Sequence, residues 1–448
     1  MTINNKTTAS PSIPSTHNSL PSLRTLFTTS LLTLALTACG GSSSSDKDPS
    51  SSSSSESSSS SESSSSASSE SSSSESSSSS SAGHFSIEPD FQLYSLANFP
   101  VGVAVSAANE NDSIFNSPDA AERQAVIIEH FSQLTAGNIM KMSYLQPSQG
   151  NFTFDDADEL VNFAQANGMT VHGHSTIWHA DYQVPNFMRN FEGDQEEWAE
   201  ILTDHVTTII EHFPDDVVIS WDVVNEAVDQ GTANGWRHSV FYNAFDAPEE
   251  GDIPEYIKVA FRAAREADAN VDLYYNDYDN TANAQRLAKT LQIAEVLDAE
   301  GTIDGVGFQM HAYMDYPSLT HFENAFRQVV DLGLKVKVTE LDVSVVNPYG
   351  GEAPPQPEYD KELAGAQKLR FCQIAEVYMN TVPEELRGGF TVWGLTDDES
   401  WLMQQFRNAT GADYDDVWPL LFNADKSAKP ALQGVADAFT GQTCTSEF

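Results

Sequence analysis

Two glutamates in this chain stand at the ends of apolar runs, where a strand would deliver them to a rim. One closes Trp221-Asp222-Val223-Val224-Asn225-Glu226-Ala227, and the other sits in Val338-Thr339-Glu340-Leu341-Asp342. A carboxylic acid that protonates a leaving oxygen, opposed by a carboxylate that traps or stabilises a developing oxocarbenium ion, is what cleavage of a glycosidic bond requires. Either glutamate alone reads more often as a structural ion-pair partner. Together, in matching settings, they point to that chemistry.

The elements that must position them follow from the hydrophobic pattern. After Phe85 short apolar or β-branched runs alternate with amphipathic stretches, the pattern of repeated βα units and a parallel sheet. Eight candidate strands are Gly102–Val105, Ile139–Met142, Thr170–His174, Val217–Val224, Val271–Tyr275, Val306–Met310, Val336–Thr339 and Phe390–Trp393. Helical stretches between them include Asp119–Leu134, Glu196–Phe213 and Tyr359–Met379, and another opens at Asp155-Asp156 and closes at Asn167-Gly168. Eight such units fit a closed (β/α)₈ barrel, the TIM-barrel architecture, better than an open sheet. Sites in that architecture gather at the C-terminal ends of the strands. Lys141, His174, Glu226, Asn276, His311, Glu340 and Trp393 each fall at or just past such an end.

The formal charge is −43, from 65 acidic against 22 basic residues. This field repels nucleic acid and anionic lipid, so a phosphate-backbone partner is not expected, whereas a neutral polymer is compatible. Residues Leu26–Ala38 form an uncharged, largely apolar run after Arg24, too short to cross a bilayer and arranged as an export signal. Residues 42–81 are nearly all serine and offer no apolar surface to offset the entropy of ordering. As a flexible coil this stretch would span roughly 35 Å. The expected organisation is a signal at 1–38, a disordered linker at 39–84 and one catalytic domain at 85–448. The cysteines Cys39, Cys372 and Cys444 are too scattered for a zinc site. The spacing leaves a disulfide between Cys372 and Cys444 open. No metal or other cofactor is expected.

Beyond these readings, the chain resembles glycoside hydrolase family 10, the retaining endo-β-1,4-xylanases, over nearly all of Phe85–Ala438. Trp221–Ala227 and Thr339–Asp342 are similar to that family's acid/base and nucleophile signatures. His172-Gly173-His174-Ser175-Thr176-Ile177-Trp178-His179 is similar to its third-strand motif, Tyr275-Asn276-Asp277-Tyr278 to its fifth, and Gly307-Phe308-Gln309-Met310-His311 to its sixth. Trp393-Gly394-Leu395-Thr396-Asp397 with Trp401 resembles its eighth-strand loop, and Lys429-Pro430-Ala431 its closing helix. Leu36-Thr37-Ala38-Cys39 resembles a bacterial lipoprotein box, which would lipidate Cys39 and tether the chain to the outer membrane, cell surface or exterior.

The resemblance implies roles. Glu340 would be the nucleophile, oriented and kept charged by His311, itself held by Asp342. Glu226 would be the acid/base, its pKa raised by Glu340, with the two carboxyl groups about 5 Å apart as in a retaining pair. Asn225 would bond the sugar 2-hydroxyl. His174, Trp178, Gln183, Asn276 and Gln309 would line the site, Asn138 and Lys141 would reach the next sugar on the non-reducing side, and Trp393 and Trp401 would offer flat apolar faces. His172, His179 and His205 receive no role. Xylan and xylo-oligosaccharides would be the partners of a monomer. One departure concerns the second-strand motif, where Gly137 stands at a position that carries glutamate in the family pattern. That departure keeps a β-1,4- or mixed-linkage glucanase as an alternative. A non-catalytic glycan-binding lipoprotein is a third reading, which the two glutamates with His311 and Asp342 oppose.

Overall fold

The computed structural model describes residues 85–349, 355–412 and 414–448. The expected signal, Cys39 and the serine-rich linker lie outside the described residues. Nine strands form one sheet: β1 Val101–Val105, β2 Gln133–Ala136, β3 Thr170–Trp178, β4 Val218–Asn225, β5 Asp272–Asp277, β6 Gly305–Phe308, β7 His311–Tyr313, β8 Lys335–Ser344 and β9 Arg387–Val392. Each pairs in parallel with its neighbour from β1 to β6, β6 then pairs β8, β8 pairs β9, and β9 returns to β1. The sheet is therefore closed. The short β7 also pairs β8 and continues the line of β6 after an interruption at Gln309 and Met310. Counted this way the barrel has eight positions, with helices between them, as the alternating pattern predicts.

The helices form where sequence supplies an apolar stripe and an end signal. Gln195–His212 opens with a capping box between Asp194 and Glu197 and buries Trp198, Leu202, Val206 and Ile209. Asp155–Ala166 buries Ala157, Leu160, Val161 and Ala164 against the barrel and ends before Gly168, whose φ is +68°. The inner and outer layers share one apolar core that includes Val103, Leu134, Val171, Val223, Leu273, Val306, Val338 and Phe390, one from each barrel position.

β3 and β8 run longer than expected and β6 stops at Phe308, but the largest differences lie at the second strand and the helix before it. The second strand is Gln133–Ala136, not Ile139–Met142, and the helix expected over Asp119–Leu134 is Ala120–His130. Gln133 and Thr135 point into the barrel fully buried, so the strand lacks an apolar signature. Gln133 is satisfied there by Lys337 Nζ at 2.6 Å and Thr170 Oγ1 at 3.1 Å. Ile139, Met140 and Met142 are buried too, but in the loop and first turn that follow. Lys141 consequently caps the short helix Met142–Leu145 rather than ending a strand.

Cys372 and Cys444 form a disulfide with Cα atoms 5.6 Å apart. It ties the helix Lys361–Thr381 to the segment after the last helix, Pro430–Phe439. That last helix starts at Lys429, whose ammonium is buried against the Asp397 carboxylate at 2.8 Å and Trp418 O at 2.9 Å. Asp397 and Lys429 thus pin the loop after β9 to the end of the fold.

Candidate active site

Register across the sheet assembles the site. Trp178 at the end of β3 pairs with Asn225 at the end of β4, and Asn225 pairs with Asn276 on β5. His311 on β7 is opposite Asp342 on β8. Side chains two strands apart along one barrel layer point the same way, so these pairings bring their functional groups to one rim. The backbone is stitched at the same level: Glu226 N donates to Asn276 O at 2.9 Å, and Glu340 N to Gln309 O at 3.1 Å. Asn276 needs room behind it. A Cβ at Gly307 would lie 2.5 Å from Asn276 Oδ1, so glycine on β6 lets that amide stand where it does.

Glu340 is 5% exposed and held from two sides. Asn276 Nδ2 donates to its Oε1 at 2.8 Å, while Thr339 Oγ1 donates to Asn276 Oδ1 at 2.7 Å and fixes the amide orientation. His311 Nε2 lies 3.3 Å from Glu340 Oε2, and His311 Nδ1 lies 2.8 Å from Asp342 Oδ2. Burial disfavours the His311 cation, but the Asp342 and Glu340 carboxylates outweigh it and push the pKa up to about 10. Trp401 Nε1 donates to the same Asp342 oxygen at 3.1 Å, and its ring stands edge-on to His311. Trp401, Asp342 and His311 thus form one chain of contacts that ends on Glu340.

Glu226 has different surroundings. Its backbone takes φ +58°, a left-handed conformation costly for a side-chain-bearing residue, and Arg237 Nε donates to its carbonyl at 2.9 Å. Its Oε2 lies 3.1 Å from His179 Nε2, and Gln309 Nε2 donates to Oε1 at 3.1 Å. Burial alone would raise the Glu226 pKa, but bonding and charge from His179, with Gln309 and Trp178 as further donors, hold it well below the usual carboxylate range. The expected upward shift is therefore not found, because His179, which receives no role from the sequence, contacts the carboxylate directly. Asn225 lies between the two glutamates. In one amide orientation it accepts from Asn276 at 3.1 Å and Gln309 at 3.3 Å and donates to Glu226; in the other it accepts from Trp178 Nε1 at 3.3 Å.

Residues 92–438 match the glycosyl hydrolase family 10 pattern. The chain belongs to glycosyl hydrolase family 10. It is 45% identical over 356 residues to the endo-beta-1,4-xylanase Xyn10C of Cellvibrio japonicus, covering 78% of this chain and 57% of that protein. It is 42% identical over 368 residues to endo-1,4-beta-xylanase A of the same species, with the same two coverages. The chain thus spans little more than half the length of these curated relatives. A crystal structure of a xylanase 10C variant from Cellvibrio japonicus in complex with xylopentaose superposes with a TM-score of 0.73 at 43% identity, covering 80% of this chain and 71% of that one.

Within this family 10 barrel the other expected residues distribute as follows. His174 is buried with Nδ1 2.8 Å from Asp222 Oδ2, and its ring meets Trp393 edge-on. Lys141 Nζ stands 4.6 Å from the Trp178 ring centroid and donates to Asn138 Oδ1 at 3.4 Å. Gln183 accepts from Ser143 at 3.0 Å and is 4% exposed, which places it between the β3 loop and the helix Met142–Leu145. Trp393 is half-buried and Trp401 is exposed. Among the described residues no group of three or more His, Cys, Asp or Glu is arranged to hold a metal.

Three supports of this family 10 site escape a reading of the sequence. His179 contacts Glu226; its position beside Trp178 at the end of the third-strand motif is the available signal. Asp222 lies opposite His174 in register and accepts from it, with His172 Nε2 3.0 Å away. An aspartate in the middle of an otherwise apolar strand is the signal there. Arg237, which braces the strained Glu226, comes from a loop that no periodicity marks. His172 and His205 are buried structural histidines: the first lies 2.7 Å from Ser220 Oγ, the second 2.7 Å from Gln146 Oε1.

Proposed function

We propose that this protein is an endo-β-1,4-xylanase that cleaves xylan with retention, Glu340 serving as nucleophile and Glu226 as acid/base. The observation that carries this reading is the pair of carboxylates held at one rim of the barrel, Glu340 by Asn276 and Glu226 by Gln309. In the first displacement Glu340 attacks the anomeric carbon, the bond to the leaving oxygen breaks, and Glu226 gives that oxygen its proton. In the second, Glu226 takes a proton from water, the water oxygen attacks the anomeric carbon, and Glu340 leaves.

The lowered pKa of Glu226 bears on the first step. His179 lies against the Glu226 carboxylate in the resting site, and protonated Glu226 is the form able to act as acid. The neighbouring Glu340 carboxylate favours that form once water is excluded from an occupied cleft. After the glycosyl-enzyme forms, the Glu340 charge is gone, and His179 favours the carboxylate needed as base. Asn225 bonds the sugar 2-hydroxyl, and His174, Trp178, Asn276 and Gln309 surround the same ring. Trp401 and Trp393 supply flat faces for pyranose rings.

Initial rates on xylan, on mixed-linkage β-glucan and on cellulose test the substrate. Xylan is expected to be cleaved fastest, to internal products with retained anomeric configuration; faster glucan hydrolysis makes the protein a glucanase instead. We further propose that the enzyme is an exported, monomeric, outer-membrane lipoprotein acylated at Cys39. The lipobox resemblance, the serine-rich stretch and a disulfide suited to an oxidising compartment support this. Labelled palmitate should enter the expressed protein and be absent from Cys39→Ala; label in both rejects the anchor.

A further inference from the structure

Gly137 follows β2 with no side chain, and a Cβ built there would meet a single atom within 4 Å, Val105 O at 3.4 Å. This part of the cleft therefore receives no carboxylate from β2. It receives one from its neighbour. The end of β1 is bonded to Gly137, whose N–H donates to Val105 O at 2.9 Å, and the loop after β1 turns back over the same spot. Glu110 in that loop accepts from Ala107 N at 2.9 Å through Oε2, which closes the loop on itself. Its Oε1 accepts from Asn138 Nδ2 at 2.6 Å.

Asn138 then accepts from Lys141 Nζ, and Lys141 stands over Trp178, the residue in register with Asn225. A continuous line of carboxylate, amide and ammonium runs from the β1 loop to the catalytic pair. Lys141 is buried, and burial lowers its pKa; the charges of Glu340, Glu226 and Glu110, in that order, work against the loss of its proton. Glu110 is half-buried, so its carboxylate is not sealed inside the fold. Neutral sugars offer only hydroxyls, and the strongest handles on a hydroxyl are charge-assisted hydrogen bonds to a fixed carboxylate or ammonium.

We propose that Glu110 is a specificity-determining residue that bonds a hydroxyl of the sugar preceding the cleaved one, and that it presents Asn138 and Lys141 to the same sugar, in place of a side chain at position 137. The inference rests on the xylanase reading above. The test uses two chromogenic substrates on the full chain. 4-Nitrophenyl β-xyloside fills only the ring position between the glutamates, whereas 4-nitrophenyl β-xylobioside adds the preceding sugar.

In Glu110→Ala the ratio of kcat/KM for xylobioside over xyloside should fall about tenfold or more, the size of one charge-assisted hydrogen bond, and mainly through KM. Glu110→Gln keeps an acceptor for Asn138 without the charge and should lie between; it carries the test if the alanine variant fails to fold. Adding Gly137→Glu to the Glu110→Ala background should restore part of the ratio. An unchanged ratio in both Glu110 variants, or no recovery in the double variant, overturns the proposal. No turnover of either substrate by the unaltered protein would instead defeat the xylanase reading, which keeps the two failures apart.

Discussion

The two halves of the cleft hold their glutamates by different means. Glu340 lies inside β8, on a strand running Lys335–Ser344, with an amide on one oxygen and a histidine backed by an aspartate and a tryptophan on the other. Glu226 lies just past β4, in a left-handed backbone conformation braced by Arg237, and contacts His179, which is itself part-exposed. One carboxylate is fixed on both oxygens by groups on other strands, and the other sits on a strained turn beside a part-exposed histidine. The double displacement proposed above needs two such differently placed groups: a nucleophile, and a separate acid that becomes a base within one turnover.

Breaking the two carboxylates separately should expose the asymmetry, and this is the largest effect expected. Glu340→Gln removes the attacking oxygen and should lower kcat by at least about 10⁴-fold on every substrate, while oligosaccharide affinity by calorimetry stays within a few-fold. Glu226→Gln removes only the proton donor, so the loss should be about 10²- to 10⁴-fold on xylan and far smaller for formation of the glycosyl-enzyme from an aryl xyloside with a good leaving group. Equal losses for the two variants on the activated substrate would erase the distinction and reassign the roles.

How much of this is visible in the chain depends on where polarity and apolarity disagree. The strand-end glutamates and the barrel itself follow from the alternating βα pattern, and His311 with Asp342 from the family resemblance. The second strand does not, because its inward residues Gln133 and Thr135 are polar, and Gln133 meets its partners, Lys337 and Thr170, only once the barrel closes. Ile139 and Met140, which mimic a strand, are buried in a loop. His179 is easy to pass over because a lone histidine near a strand end is more often structural. Its role depends on a 3.1 Å approach to a residue 47 positions later. The disulfide is undecided by sequence for the same reason: pairing Cys372 with Cys444 needs two elements 72 residues apart to dock.

Two groups sharpen the comparison, because the pKa of His311 is raised and that of Glu226 is lowered. His311 has a raised pKa of about 10 in the fold and about 6.5 when unfolded. Its contribution to stability is therefore complete below about pH 6.5 and is lost as pH rises towards 10. Denaturant unfolding of the parent protein should weaken across that window, and His311→Asn should weaken less, with kcat down about 10²-fold.

Glu226 runs the other way. Its folded pKa is depressed, so the stability it supplies is present above its unfolded value of about 4.3 and disappears as pH falls below that point. Burial opposes the depression and His179 is the chief group that produces it, so burial remains when His179 is removed. In His179→Asn the Glu226 pKa should rise to or above the ordinary range, and the acid-side loss of stability between about pH 5 and 3 should become shallower, while xylan turnover changes by roughly tenfold. Parallel unfolding profiles for the two proteins in that interval would mean that Glu226 owes its charge state to something other than His179. The contrast would then reduce to a difference in burial.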